Sequence, residues 1–138
     1  MKFKDFILTG IAAIMMAACG KHDPRLAQYM VQGEQLYKLH CSNCHQPDGK
    51  GFGLLYPPLA NADYLKEKKD SIICIIRNGM SGPVTVNGQI YDQAMPGNEK
   101  LTDLEIAEIL TFIYVTWGGE DEATDVNNVR SGAGRCGS

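Results

Sequence analysis

The stretch Cys41-Ser-Asn-Cys44-His45 constrains this chain more than any other. It places two thiols two residues apart and an imidazole directly after the second. Three chemistries use such a pair: a redox dithiol, half of a zinc site, and an attachment point for haem. Each makes a different demand on the rest of the sequence.

A redox dithiol of the thioredoxin kind lies between a strand and a helix in a βαβ context. Here a helical pattern leads into the pair. Leu26, Tyr29, Met30, Gly33, Leu36, Tyr37 and His40 recur at three- and four-residue steps along one face. A loop rich in glycine and proline follows, from Gln46 to Asn61. A structural zinc site draws four ligands, usually as two pairs from separate segments. His22, His40 and His45 are the histidines available, and Cys74 and Cys136 are solitary. Haem attachment accounts for more of the motif. Cys41 and Cys44 add to the two vinyl groups as thioethers, and His45 falls beneath the iron as proximal ligand.

A low-spin electron carrier needs a sixth ligand, and a methionine thioether is soft enough to serve. Met30 lies on the core face of the first helix. Met80 follows Gly79 among Ser81 and Gly82, a free segment suited to apolar filling. Met95 stands in Ala94-Met95-Pro96-Gly97, shortly before the last helix. Pro96 fixes the backbone beside it and Gly97 frees the next turn. Met95 is therefore the expected iron ligand.

The N-terminus reads as an export signal. Lys2 and Lys4 precede an apolar run from Phe6 to Ala18, too short for the roughly 20 residues that a spanning helix needs. Its end, Ala17-Ala18-Cys19, resembles bacterial lipoprotein signals, in which the cysteine becomes the lipidated first residue. Residues 1–18 are then a signal peptide and 19–25 a tether, with a lipid on Cys19 holding the chain to the periplasmic side of a bacterial membrane. Removing Lys2, Lys4 and Asp5 from 13 basic and 16 acidic residues leaves 11 and 15, a net charge near −4. That balance argues against nucleic-acid binding and permits steering toward a basic surface on a partner.

Further along, short helices are expected near Asn61–Lys69 and over Asp70–Arg77. Asn87-Gly88, between Val84-Thr85-Val86 and Gln89-Ile90-Tyr91, predicts a small hairpin near 84–91. Thr102 with Glu105 forms a capping box before a broad apolar face that runs to Trp117. Gly33 sits inside the first helix, where a glycine marks close approach by another element. Residues 118–138 are polar and small, and read as a flexible tail. Disulfides are open on composition alone. Cys74 in Ile72-Ile73-Cys74-Ile75-Ile76 reads as a buried thiol, and Cys136 as a free or intermolecular one.

Four segments in order, Gly33–Gly51, Tyr56–Leu65, Asn87–Gly97 and Leu101–Trp117, carry a family likeness. The chain resembles small bacterial class I cytochromes c over 26–117, and in particular the c-type domains serving nitrite reductases, quinoprotein dehydrogenases and terminal oxidases. The resemblance implies an all-α domain of three to four helices around one covalently bound haem c. It implies Cys41 and Cys44 as thioether residues, His45 and Met95 as iron ligands, and Pro57 as the residue whose carbonyl accepts from His45 Nδ1. It also implies that Gly33 and Tyr37 cross the last helix at Phe112. The expected function is a carrier of single electrons between redox proteins, an oxidase, reductase or dehydrogenase, with no catalysis of its own. An electron-entry subunit of a larger complex is the alternative. A haem enzyme or sensor with an open axial site fits less well, since no distal histidine or arginine pair suggests peroxide chemistry.

Overall fold

The structure, a computed structural model, describes residues 23–136. The expected signal peptide, residues 1–18, and Cys19 lie outside the described residues. Helix α1 spans Pro24–His40. It begins two residues before Leu26 because Asp23 caps it, accepting from the Arg25 N–H at 2.9 Å, while Pro24 takes the first turn. A single helical turn, α2 (Ser42–His45), carries Cys44, with Cys41 at its N-cap. Helices α3 (Asp63–Glu67) and α4 (Lys69–Asn78) follow the loop. Strand β1 is Gly79–Met80, β2 Val84–Val86, β3 Gln89–Tyr91 and β4 Met95–Pro96. Helix α5 (Asp103–Ile113) continues into a wider π-type turn, Tyr114–Gly118, and Gly119 ends it at φ 79°. The capping box is present: the Glu105 N–H donates to Thr102 Oγ1 at 3.2 Å and the Thr102 N–H to Glu105 Oε2 at 2.8 Å.

Helices α1 and α5 cross at Gly33. A Cβ on Gly33 would lie 2.0 Å from the Glu108 carbonyl oxygen and 2.9 Å from Phe112 Cβ. Only a residue without a side chain lets the two backbones come this close. Beside the crossing, the rings of Tyr37, Phe112 and Trp117 meet with centroids 5.3–5.4 Å apart. Ile106, Ile109, Leu110 and Tyr37 fill the core behind them.

The hairpin forms as expected. Strands β2 and β3 pair in antiparallel register, Val84 opposite Tyr91, and Asn87 and Gly88 both take positive φ, as a type I′ turn requires. Asn87 and Asp63 exchange backbone-to-side-chain hydrogen bonds of 3.0 and 2.8 Å, which tie the hairpin to the start of α3.

Two expectations are corrected. Cys74 and Cys136 are neither free nor intermolecular; they form a disulfide with an S–S distance of 2.04 Å. The tail is not flexible throughout: Val126–Ala133 forms helix α6, with Asp125 as its cap and Val129 fully buried. The chain returns to the core at Thr111, whose hydroxyl accepts from the Thr124 N–H at 2.9 Å. Gly132 packs against Ile73 on α4, and Asp103 accepts from Arg77 at 2.7 Å and Arg130 at 3.4 Å, joining α4, α5 and α6. The segment lacks apolar surface to fold alone, as its composition says, and is held by contacts that composition does not show.

Candidate functional site

Helix α1 ends at His40 and the chain turns at once into α2. Backbone N–H groups of Cys44 and His45 donate to the Cys41 carbonyl at 3.2 and 3.0 Å. This turn puts Cys41 and Cys44 three residues apart on a helical face. Both thiols are free and half-buried. Burial, then the neighbouring Cys44, pushes the Cys41 pKa up to about 11, so its thiol keeps its proton at neutral pH. The disulfide takes Cys74 and Cys136 out of contention for cofactor chemistry. Among the described residues, no group of three or more His, Cys, Asp or Glu side chains could hold a metal ion, so a zinc cluster has no ligand set.

His45 is 8% exposed. Its Nδ1 lies 2.9 Å from the Pro57 carbonyl oxygen. A carbonyl only accepts, so Nδ1 carries the hydrogen and Nε2 keeps the lone pair. Burial holds the imidazole pKa below its ordinary value, against the opposing pull of the Pro57 bond. The ring is therefore neutral at pH 7 and ready to ligate. Gly51 lets the loop approach this spot. Its φ is 70°, a Cβ there would lie 2.2 Å from the Tyr56 carbonyl oxygen, and its N–H donates to the His45 carbonyl at 3.0 Å.

His45, Cys41 and Pro57 line an apolar cleft with about 670 Å³ of unfilled space, part of it open to solvent. Ile72, Ile76, Val86, Ile109 and Ile113 supply its walls, from two helices and one strand. Met80 and Met95 both line it as well. The sequence reading placed Met80 in a free segment. The structure instead pairs it directly with Met95 across β1 and β4, and the Tyr64 hydroxyl lies 3.9 Å from its sulfur. Tyr64 was not singled out from the sequence. Gly79 and Gly97 were the available signal: a Cβ on Gly79 would lie 2.6 Å from the Met95 carbonyl oxygen in β4, and one on Gly97 2.4 Å from the carbonyl carbon of Asn78 at the end of α4.

Two free thiols on one turn, a buried imidazole with one nitrogen committed, thioethers in the same cleft and apolar walls form a donor set that fits haem c. The cytochrome c family profile matches residues 30–117. The chain belongs to the cytochrome c family. It is 33% identical over 97 residues to "Cytochrome c-552" of Thermus thermophilus, an alignment covering 67% of this chain and 65% of that one. It is 35% identical over 106 residues to "Alcohol dehydrogenase (quinone), cytochrome c subunit" of Gluconacetobacter polyoxogenes, covering 72% of this chain and 22% of the subunit. The corresponding subunit of Gluconobacter oxydans is 31% identical over 105 residues, again 72% and 22%. This cytochrome thus spans just under two thirds of the first relative and about a fifth of the dehydrogenase subunits. It is a small class I c-type cytochrome, and its family carries haem c attached covalently.

Proposed function

We propose that this cytochrome is a monohaem carrier, held to the periplasmic face of a bacterial membrane by lipid on Cys19, that moves single electrons between redox proteins. The observation that carries the reading is one apolar cleft holding both the buried His45 and two methionine thioethers. When bound, haem c supplies one-electron exchange at its iron. Cys41 and Cys44 would hold the group through thioether bonds. His45 offers Nε2, and the Pro57 carbonyl fixes the ring and strengthens it as a donor. Met95 would hold the iron together with His45, which would leave no open site on it for a substrate. The isoleucine and valine walls exclude water, which keeps reorganisation small.

Phe52, Leu54 and Leu55 are exposed in the loop just before Pro57. These exposed apolar side chains suit a partner's docking surface, and the acidic net charge suits a partner with basic groups. The dehydrogenase subunits among the relatives favour a second reading, in which the chain works as the electron-entry subunit of a larger complex.

Redox titration of the purified protein, with the oxidised spectrum recorded into the near infrared, tests the carrier reading. Reversible one-electron behaviour with the weak band of sulfur ligation supports it; an oxidised protein that lacks the band and takes up external ligands readily points to an open axial site. Copurification from native membranes separates a shuttle from a subunit. Mass spectrometry of the mature N-terminus tests the lipid on Cys19, and cleavage elsewhere with Cys19 unmodified ends that part of the reading.

A further inference from the structure

Met80 and Met95 are directly opposed in the antiparallel β1–β4 ribbon, with Gly79 opposite Pro96. Directly opposed residues in such a ladder point to the same face, with Cβ atoms about 4.5–5.5 Å apart. Both side chains line the cleft that holds Cys41 and His45. Methionine has three rotatable side-chain bonds and a polarisable sulfur, so its reach matches that separation. The two strands pack closely, since a Cβ on Gly79 or Gly97 would meet backbone at 2.6 and 2.4 Å.

Nothing about an apolar wall requires a sulfur at position 80. Leucine would fill the same volume and lose less rotamer freedom on burial. Yet the Met80 sulfur is engaged. Tyr64 sets its hydroxyl 3.9 Å away, and Tyr64 is itself placed by the start of α3, where its N–H donates to Asp63 Oδ1 at 2.7 Å. Asp63 is in turn bonded to Asn87 of the hairpin.

We propose that Met80 is a reserve axial ligand: when the bond from Met95 Sδ to the iron breaks, Met80 Sδ takes the same position. Tyr64 is the positioning residue that holds the sulfur meanwhile. One sulfur–iron bond breaks and one forms. Both thioethers are neutral, so the exchange moves no proton and no electron. Its effect is to keep the axial position closed to external ligands while the ribbon fluctuates. The proposal rests on Met95 as the resident ligand.

The test uses the full haem-loaded protein and three variants: Met80→Leu, Met95→Leu, and both together. Covalent haem content and far-ultraviolet circular dichroism establish that each is folded, and Met95→Ala is made in parallel in case leucine packs badly. The readouts are the near-infrared sulfur band of the oxidised form and the strongly upfield methionine methyl resonance of the reduced form. Each single variant is expected to keep both signals. The double variant is expected to lose both and to bind added imidazole. If Met95→Leu and Met95→Ala lose the signals while Met80→Leu keeps them, the reserve role is overturned and Met95 stands as ligand. If Met80→Leu loses them while the Met95 variants keep them, Met80 is the resident ligand, and the assignment of Met95 fails with the proposal. Signals that survive in the double variant overturn both.

Discussion

The hydroxyl of Tyr37 donates a 2.6 Å hydrogen bond to the backbone carbonyl of Gln46. Gln46 directly follows His45 and adopts φ 62° and ψ 157°, a region that costs a non-glycine residue on the order of 1–3 kcal/mol. The bond ties α1 to that turn, and so helps fix where the imidazole ring emerges. Burial raises the Tyr37 pKa from its ordinary 10.0, so the phenol remains a donor. Tyr37→Phe keeps the ring contacts with Phe112 and Trp117 but removes the donor. Stability is expected to fall by about 1–3 kcal/mol, read as a lower denaturant midpoint with an unchanged slope.

Gly33→Ala sets two effects against each other. Alanine is the better helix former by about 1 kcal/mol. Its Cβ, however, would meet backbone atoms of Glu108 at 2.0 and 2.7 Å, and backbone cannot swing aside. Overpacking of this kind costs typically about 1–3 kcal/mol and sometimes more, so the clash wins. The variant is expected to unfold at a lower temperature than the parent. It should also attach haem less completely, because α1 delivers the Cys41 turn.

Reduction of the Cys74–Cys136 bond, or replacement of both residues by serine, should destabilise the fold by about 2–5 kcal/mol. The bond joins residues 62 apart, so its loss frees a long loop in the unfolded chain. Hydrogen exchange should show the greatest loss of protection in α6. The spectrum of the haem-loaded protein should change little, since neither cysteine lines the cleft. A spectrum that changes as much as the stability would mean that α6 shapes the cleft.

Thr102→Ala should cost about 1 kcal/mol at neutral pH by removing the cap of α5. The cost should depend on pH. Hydrogen bonds from the Thr102 backbone and hydroxyl hold the Glu105 carboxyl below its ordinary 4.5. A group with a lowered folded-state pKa contributes its stability fully above the ordinary value and loses it as the pH falls through the folded value. The difference between parent and variant should therefore be constant above about pH 5 and shrink in more acid solution. Paired unfolding curves across that range check it.

Helix α5 was legible because two independent signals agree there: the Thr102–Glu105 box and the wide apolar face. The crossing at Gly33 was legible because a glycine inside a helix is costly unless a neighbour needs the space. Asn87-Gly88 announced its turn because few dipeptides accept positive φ twice. The β1–β4 ribbon was not legible. Two-residue strands have no period, and the partners lie 15 positions apart, Met80 against Met95. The pairing of Cys74 with Cys136 was hidden for a related reason, since spacing does not reveal which cysteines meet in space. Helix α6 then followed Cys136 out of view, because Val129 becomes a core residue only once the chain has returned to Thr111 and Ile73. Tyr37 was expected at the crossing with Phe112, but nothing in its spacing shows where its hydroxyl points.

The disulfide also makes a covalent ring of the second half of the molecule. Met95, α5 and α6 lie on that ring, while Cys41, Cys44 and His45 lie outside it. Asp121 and Glu122 are exposed on the connection between α5 and α6. A protease that cuts there opens the ring without parting it, and the two pieces travel as one molecule until a reductant is added. Such a cut is a nick in a closed loop rather than the loss of a limb.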